Sequence, residues 1–143
     1  IKIIGDISAF APDIQESIRK LEEFSKDYDE LYFQIAMNYG SRDEITRGMK
    51  KMAQDVADGK LSPEDVTEER ISGYLDTAGV PDPDLMIRTS GELRLSNFLM
   101  WQMAYTEFYF TDVAWPDFNK AELVRAIEKY NQRDRRYGGV KEE

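Results

Sequence analysis

Apolar positions switch between two periods along the chain, and the switching predicts strands and helices in turn. Ile1 to Ile4 is short, β-branched and closed by Gly5-Asp6, the pattern of a strand running into a turn. After Pro12, which suits a first helical turn, Ile14, Ile18, Leu21 and Phe24 recur at helical spacing and predict one buried face. Leu31 to Met37 reads as a second strand that opens into a loop at Asn38-Tyr39-Gly40. Ser41 with Glu44 reads as a capping box, and Ile45, Met49, Met52 and Val56 as the inner stripe of a helix that Gly59 ends. Ser62-Pro63 and Thr67 are further helix-start signals, ahead of Ile71, Tyr74 and Leu75.

The prolines in Val80-Pro81-Asp82-Pro83-Asp84 force an extended connector. A third strand, Leu85 to Ile87, follows and ends in a charge at Arg88, then breaks into Thr89, Ser90 and Gly91. Ser96 or Asn97 is placed to cap a short apolar helix through Phe98, Leu99 and Trp101 to Met103, and Thr106 to Phe110 reads as a fourth strand. Asn119 with Glu122 reads as a second capping box, with Leu123, Val124, Ile127 and Tyr130 facing the core of a last helix. The expected fold class is therefore α/β, one mostly parallel sheet with helices on both faces.

Composition narrows the chemistry. At 143 residues the chain fits one domain, and a net charge of −9 excludes general nucleic-acid binding, which needs a basic surface. Cys and His are both absent, so disulfides, thiolate or imidazole catalysis and zinc sites of the usual kind are excluded. Any metal ligand must be an oxygen donor, which suits Mg²⁺. With no apolar run long enough to span a bilayer and no signal-peptide pattern, the expectation is a soluble cytoplasmic protein. The chain starts without Met, inside a strand, and reads as an internal fragment whose upstream part has been removed, or as the product of tag processing.

Arg88, Arg94 and the hydroxyls of Thr89, Ser90 and Ser96 surround Gly91. Two planar guanidinium forks with hydroxyl and backbone donors suit a diphosphate; the same arginines suit simple pairing with Glu92 or a solvated carboxylate. Glu107 lies among Tyr105, Phe108, Tyr109 and Phe110, where a carboxylate is costly unless paired, metal-bound or turned to water. Glu92 reads as a cap on the loop backbone. Asn38, Tyr39 and Arg42 occupy another strand-end loop, whereas Trp101, Trp115 and Phe118 read as core. Arg133, Arg135 and Arg136 read as a solvated helix end.

The stretch from Asp84 to Phe118, DLMIRTSGELRLSNFLMWQMAYTEFYFTDVAWPDF, resembles the last long signature block of the cis-prenyltransferases, the undecaprenyl diphosphate synthase family. The likeness extends to the IIGD opening, the NYG-R turn at Asn38 to Arg42 and the RRYGG ending at Arg135 to Gly139. What the resemblance implies is head-to-tail condensation of isopentenyl diphosphate with an allylic diphosphate such as farnesyl diphosphate. The reaction uses Mg²⁺ and forms a cis double bond at each addition, making a cell-wall lipid carrier whose chain brings peripheral membrane contact. It also implies that Arg88, Arg94, Leu95 and Ser96 hold isopentenyl diphosphate, that Glu107 is the Mg²⁺-associated carboxylate, and that Arg136 and Gly138 reach the active site of a partner in a homodimer. Leu93 stands where the family often carries His, which removes any acid, base or metal role there. The family's Asp-Gly-Asn-Gly-Arg-like run, which supplies the key aspartate, has no counterpart; Asp6 lacks the continuation. No catalytic residue is thus assigned within the chain. It reads as the C-terminal part, residues 1–143, of one catalytic domain, lacking N-terminal strands and inactive alone. A non-catalytic binding or dimerisation subunit is the alternative, and an unrelated phosphate-binding α/β domain a third.

Overall fold

Lys2–Ile4 (β1) and Gln34–Ala36 (β2) lie parallel, with Ile3 opposite Ile35, and the helix between them, Pro12–Ser25 (α1), makes the crossover that parallel pairing requires. The computed structural model describes residues 1–133. They fall into two compact units, Ile1–Val80 and a second that begins at Pro81. Of the apolar positions expected to bury α1, Ile18 is 6% exposed but Phe24 is 73% exposed. Length explains this correction: a 14-residue helix is about 21 Å long, whereas three-residue strands run about 10 Å, so its far turns have no sheet beneath them. The second strand is also shorter than its apolar run, leaving Leu31, Tyr32 and Phe33 exposed.

The longest helix, Ser41–Ala57 (α2), starts and stops where its sequence signals lie, with Gly59 in the left-handed region just beyond its end. Its expected capping box does not form: Gly40 is the N-cap, Ser41 is already helical, and the Glu44 carboxylate turns inward. Glu68–Ser72 (α3) is one turn capped by the Thr67 hydroxyl, after a 3₁₀ turn at Pro63–Asp65 that Ser62 caps. Ile4, Ile18, Met52, Leu61 and Leu75 are the buried apolar residues around which this unit closes.

In the second unit Leu85–Arg88 (β3) and Glu107–Phe110 (β4) form another parallel pair, Leu85 opposite Glu107 and Arg88 opposite Phe110. The short helix expected from Phe98 to Met103 is replaced by turns, because Ser96, Asn97 and Leu99 all have positive φ and no helical ladder can run through them. Lys120–Asn131 (α4) is capped by Asn119, whose Oδ1 accepts from Ala121 and Glu122 N–H at 2.9 and 3.4 Å. Glu122 pairs with Arg125 at 2.5 Å and does not complete a box. Ala126, not the larger apolar residues, is the buried position of α4, and Trp115, expected in the core, is 72% exposed. The α/β class and the parallel pairing stand as expected; among the described residues the strands form two separate two-stranded ladders.

Candidate functional site

Parallel strands bring their carboxyl ends to one edge, where connecting loops can carry ligands. At the end of β3, Ser90 and Gly91 N–H donate to Val113 and Thr111 carbonyls at 2.9 and 3.0 Å, fastening the bend to the segment after β4. Gly91 has φ +68°, and a Cβ there would sit 3.1 Å from Asp112 Oδ1, so the bend needs glycine. Beyond it the chain turns back, and Arg88 Nη2 meets Ser96 Oγ at 3.4 Å. A shallow cleft of about 370 Å³ runs beside this contact, lined by Met86, Ile87, Arg88, Thr89, Ser90, Glu92 and Phe98.

Of the expected anion ligands, Arg88 and Ser96 are brought together. Arg94 is not: its guanidinium pairs with Glu92, and its side chain is 64% exposed. Leu95 is half-buried in the same run, its carbonyl accepting from Phe98 N–H at 3.1 Å. Glu92 therefore answers an arginine and is not the backbone cap expected of it. Ser96 heads no helix, so it presents no helix terminus to an anion.

Glu107 lies at the other end of the ladder. Three residue steps separate Leu85, its partner, from Arg88, about 10 Å along the strand. Its Oε2 accepts from Arg133 Nη1 at 2.5 Å, and Arg133 Nη2 donates to the Phe108 carbonyl at 2.8 Å. As a hard oxygen donor, 27% exposed, Glu107 fits one position in a Mg²⁺ shell, an ion that keeps waters and takes one or two carboxylates plus substrate phosphates. No group of three or more acidic side chains that could hold a metal ion exists among the described residues. Arg136 and Gly138 lie outside the described residues.

At the carboxyl ends of β1 and β2 the structure holds a polar cluster that the sequence pattern did not reveal. Glu44, 1% exposed, accepts from Tyr39 Oη at 2.5 Å and from Asp76 N–H at 2.8 Å. The Asp76 carboxylate in turn accepts from both Arg47 terminal nitrogens at 2.9 and 2.7 Å and from Gly5 N–H at 3.0 Å. Arg47 holds the Asp76 carboxyl below its ordinary value against the effect of burial. Burial, with Glu44 beside it, pushes the Tyr39 phenol well above its usual range. Asn38 Nδ2 donates to the Asp6 carbonyl at 2.8 Å and locks the two strand-end turns together. Asp6 itself caps the 3₁₀ turn Ile7–Ala9 through Ser8. Glu44 carried the spacing of a capping residue, and nothing local in the sequence pointed it toward Asp76.

The family model described as putative undecaprenyl diphosphate synthase matches residues 1–138. The chain belongs to this family. It is 50% identical over 138 residues to the isoprenyl transferase of Chlamydia trachomatis, covering 96% of this chain and 54% of that protein. It is 51% identical over 143 residues to that of Agrobacterium fabrum, covering 100% and 58%. Among solved structures, lavandulyl diphosphate synthase from Lavandula x intermedia in complex with dimethylallyl diphosphate superposes with a TM-score of 0.91 at 40% identity, over 96% of this chain and 59% of that one. A probable undecaprenyl diphosphate synthase from Campylobacter jejuni gives 0.82 at 38%, over 96% and 62%. This cis-prenyltransferase chain thus spans a little over half the length of the relatives it matches. No helix among the described residues is long and apolar enough to cross a membrane.

Proposed function

We propose that the chain is the isopentenyl diphosphate-binding part of a cis-prenyltransferase that condenses isopentenyl diphosphate with an allylic diphosphate such as farnesyl diphosphate. The observation that carries this reading is the closure of Arg88 on Ser96 across the glycine bend at the end of β3. Arg88 supplies a two-pronged donor, Ser96 a hydroxyl, and Arg94 a second guanidinium once it leaves Glu92; together with Leu95 they grip the diphosphate of the nucleophile. Met86 and Phe98 in the adjoining cleft give the hydrocarbon an apolar wall that keeps water from a cationic allylic carbon. When bound, Mg²⁺ neutralises charge on the diphosphates, and Glu107 is the carboxylate of this chain that would hold it.

The test is calorimetry of isopentenyl diphosphate against the chain and its Arg88→Ala variant. Saturable binding that the substitution weakens is the expected result; equal heats from both would reject the site. Arg136 and Gly138 are proposed to complete the site of a second copy, and sedimentation of the chain as a dimer checks that arrangement. A second reading is motivated by the lack of an Asp-Gly-Asn-Gly-Arg-like run in these 143 residues. On it the chain binds or dimerises without catalysing. Both readings predict no product from the chain alone, and they part when an upstream half from a full-length relative is added: restored prenyl transfer supports the enzyme fragment.

A further inference from the structure

The two outer edges of the β1 and β2 ladder are finished differently. Lys2 N–H donates to the Phe33 carbonyl and Met37 N–H to the Ile4 carbonyl, both at 2.9 Å, so the ladder uses the even-numbered residues of β1 and the odd-numbered residues of β2. The odd-numbered amides of β1 face away from it, and side chains take them: Ile3 N–H donates to Glu22 Oε1 at 2.8 Å and Gly5 N–H to Asp76 Oδ2 at 3.0 Å. A carboxylate on such an amide occupies the donor that an added strand needs, so β1 is a sealed edge. On β2 the outward amides are those of Gln34 and Ala36, and neither has an acceptor among the described residues. Gln34 carries a further unmet donor, because its side-chain Nε2 is buried without a partner.

The second strand is also shorter than the sequence able to build it. Leu31, Tyr32 and Phe33 continue its apolar run, lie exposed, and border a cavity of about 220 Å³ that Lys2, Ser25 and Gly79 also line. Parallel strands are stable when flanked and covered, and a two-stranded ladder with one open edge is incomplete. The relatives carry further chain: this one is matched almost throughout, yet covers only 54% and 58% of two of them. We propose that the open edge of β2 is the docking surface for a parallel strand from the part of the family's length that this chain does not span, and that Glu22 and Asp76 direct it there by closing β1. Carbonyls of the incoming strand take the Gln34 and Ala36 amides, and pairing extends β2 back through Leu31 to Phe33. A second copy fits less well, because three residues of edge fall far short of the roughly 1,200 Å² that a specific interface buries, whereas a strand carried by the rest of a domain brings its own core. No anion or cation site enters into this docking, which is the same under either reading of the function.

The experiment compares amide hydrogen exchange in the 143-residue chain and in a chimera where the chain replaces its 143-residue match in the Agrobacterium fabrum isoprenyl transferase. In the chain alone the Gln34 and Ala36 amides should exchange like unstructured ones, while Ile3 and Gly5 are protected by their carboxylates. In the chimera Gln34 and Ala36 should slow by about 100-fold. Glu22→Ala should speed exchange at Ile3 by about ten-fold in both proteins, since no strand covers β1 in either. Ala36→Pro gives an independent measurement, because proline is tolerated on an edge strand and not inside a sheet: the urea midpoint should hold in the chain and fall by about 1 M in the chimera. Gln34 and Ala36 amides that stay fast in the chimera, an Ile3 amide there that Glu22→Ala no longer exposes, or an equal Ala36→Pro shift in both proteins would overturn the proposal. Protection of Gln34 and Ala36 in the chain alone would overturn it too, assigning the edge to a second copy if it rises with concentration and to an internal partner if it does not.

Discussion

The two strand-end loops of this chain are built to opposite specifications. At β1 and β2, the Gly5 and Tyr39 turns are locked by Glu44, Asp76 and Arg47, with Gly5 pressed so close to Met37 that a Cβ would fall 2.3 Å from its carbonyl oxygen. At β3, the loop is held by its backbone at Ser90 and Gly91, while Arg88 and Arg94 keep exposed or lightly engaged side chains and four residues hold positive φ between Ser90 and Asn97. Charge in the first loop is satisfied among buried and half-buried groups; in the second, Arg94 pairs with Glu92 at an exposed position and Arg88 meets the Ser96 hydroxyl at 3.4 Å. Buried polar groups that are fully paired make a rigid support, whereas exposed cations on a constrained backbone make a receptor for an anion.

The sharpest way to break that contrast is to remove Glu44. Glu44→Ala leaves the Tyr39 hydroxyl and the Asp76 N–H buried without their acceptor and should cost about 3 kcal/mol of stability in urea denaturation. Gly5→Ala should match it, because the added Cβ has no room and the backbone sits at φ +110°. A loss under about 1 kcal/mol for both would mean that the first loop is no more rigid than the second.

In the second loop the same kind of deletion should act on ligand and not on stability. Arg88→Ala removes a charged donor worth about 2 kcal/mol, or roughly 30-fold in the Kd for isopentenyl diphosphate. The urea midpoint should stay where it was, since the bonds of Ser90 and Gly91 are backbone bonds. A midpoint that fell as far as it does in Glu44→Ala would show that Arg88 is structural.

This division also sorts what the sequence could convey. The arginine loop was legible because its features are local: a strand ending at Arg88, a glycine three residues later, and hydroxyls on either side. The anchor of the first loop was not, since Glu44 and Asp76 are 32 residues apart and Glu44 carried the spacing of a helix cap. Periodicity placed α1 and α4 well but misjudged which side chains they bury, because Phe24 and Leu123 need a partner surface that three- and four-residue strands do not extend far enough to give. The helix expected after Ser96 failed on backbone geometry, as residues that favour a cap also tolerate the left-handed region they occupy.

Acid should weaken the first loop selectively. Arg47 lowers the Asp76 carboxyl below its ordinary value of 3.8, so the stabilisation from ionised Asp76 is complete above about pH 4. It is lost as pH falls through the lower folded-state value. Urea midpoints measured from pH 6 downward should therefore drop more steeply in the wild type than in Asp76→Asn. Parallel curves would show that the Arg47 contact contributes nothing beyond a hydrogen bond.

The smallest effect expected is a gain. Arg94 must part from Glu92 before it can grip an anion, and its exposure keeps the pair within the usual range for surface ion pairs, about 0.5 kcal/mol. Glu92→Gln removes that competitor and a negative charge beside the site, so isopentenyl diphosphate should bind about two-fold tighter in calorimetry. The gain should vanish in the Glu92→Gln/Arg94→Ala double variant, because no arginine is left to release. A two-fold gain that survives the loss of Arg94 would trace the effect to general charge at the loop, and Arg88 with Ser96 would then hold the anion without it.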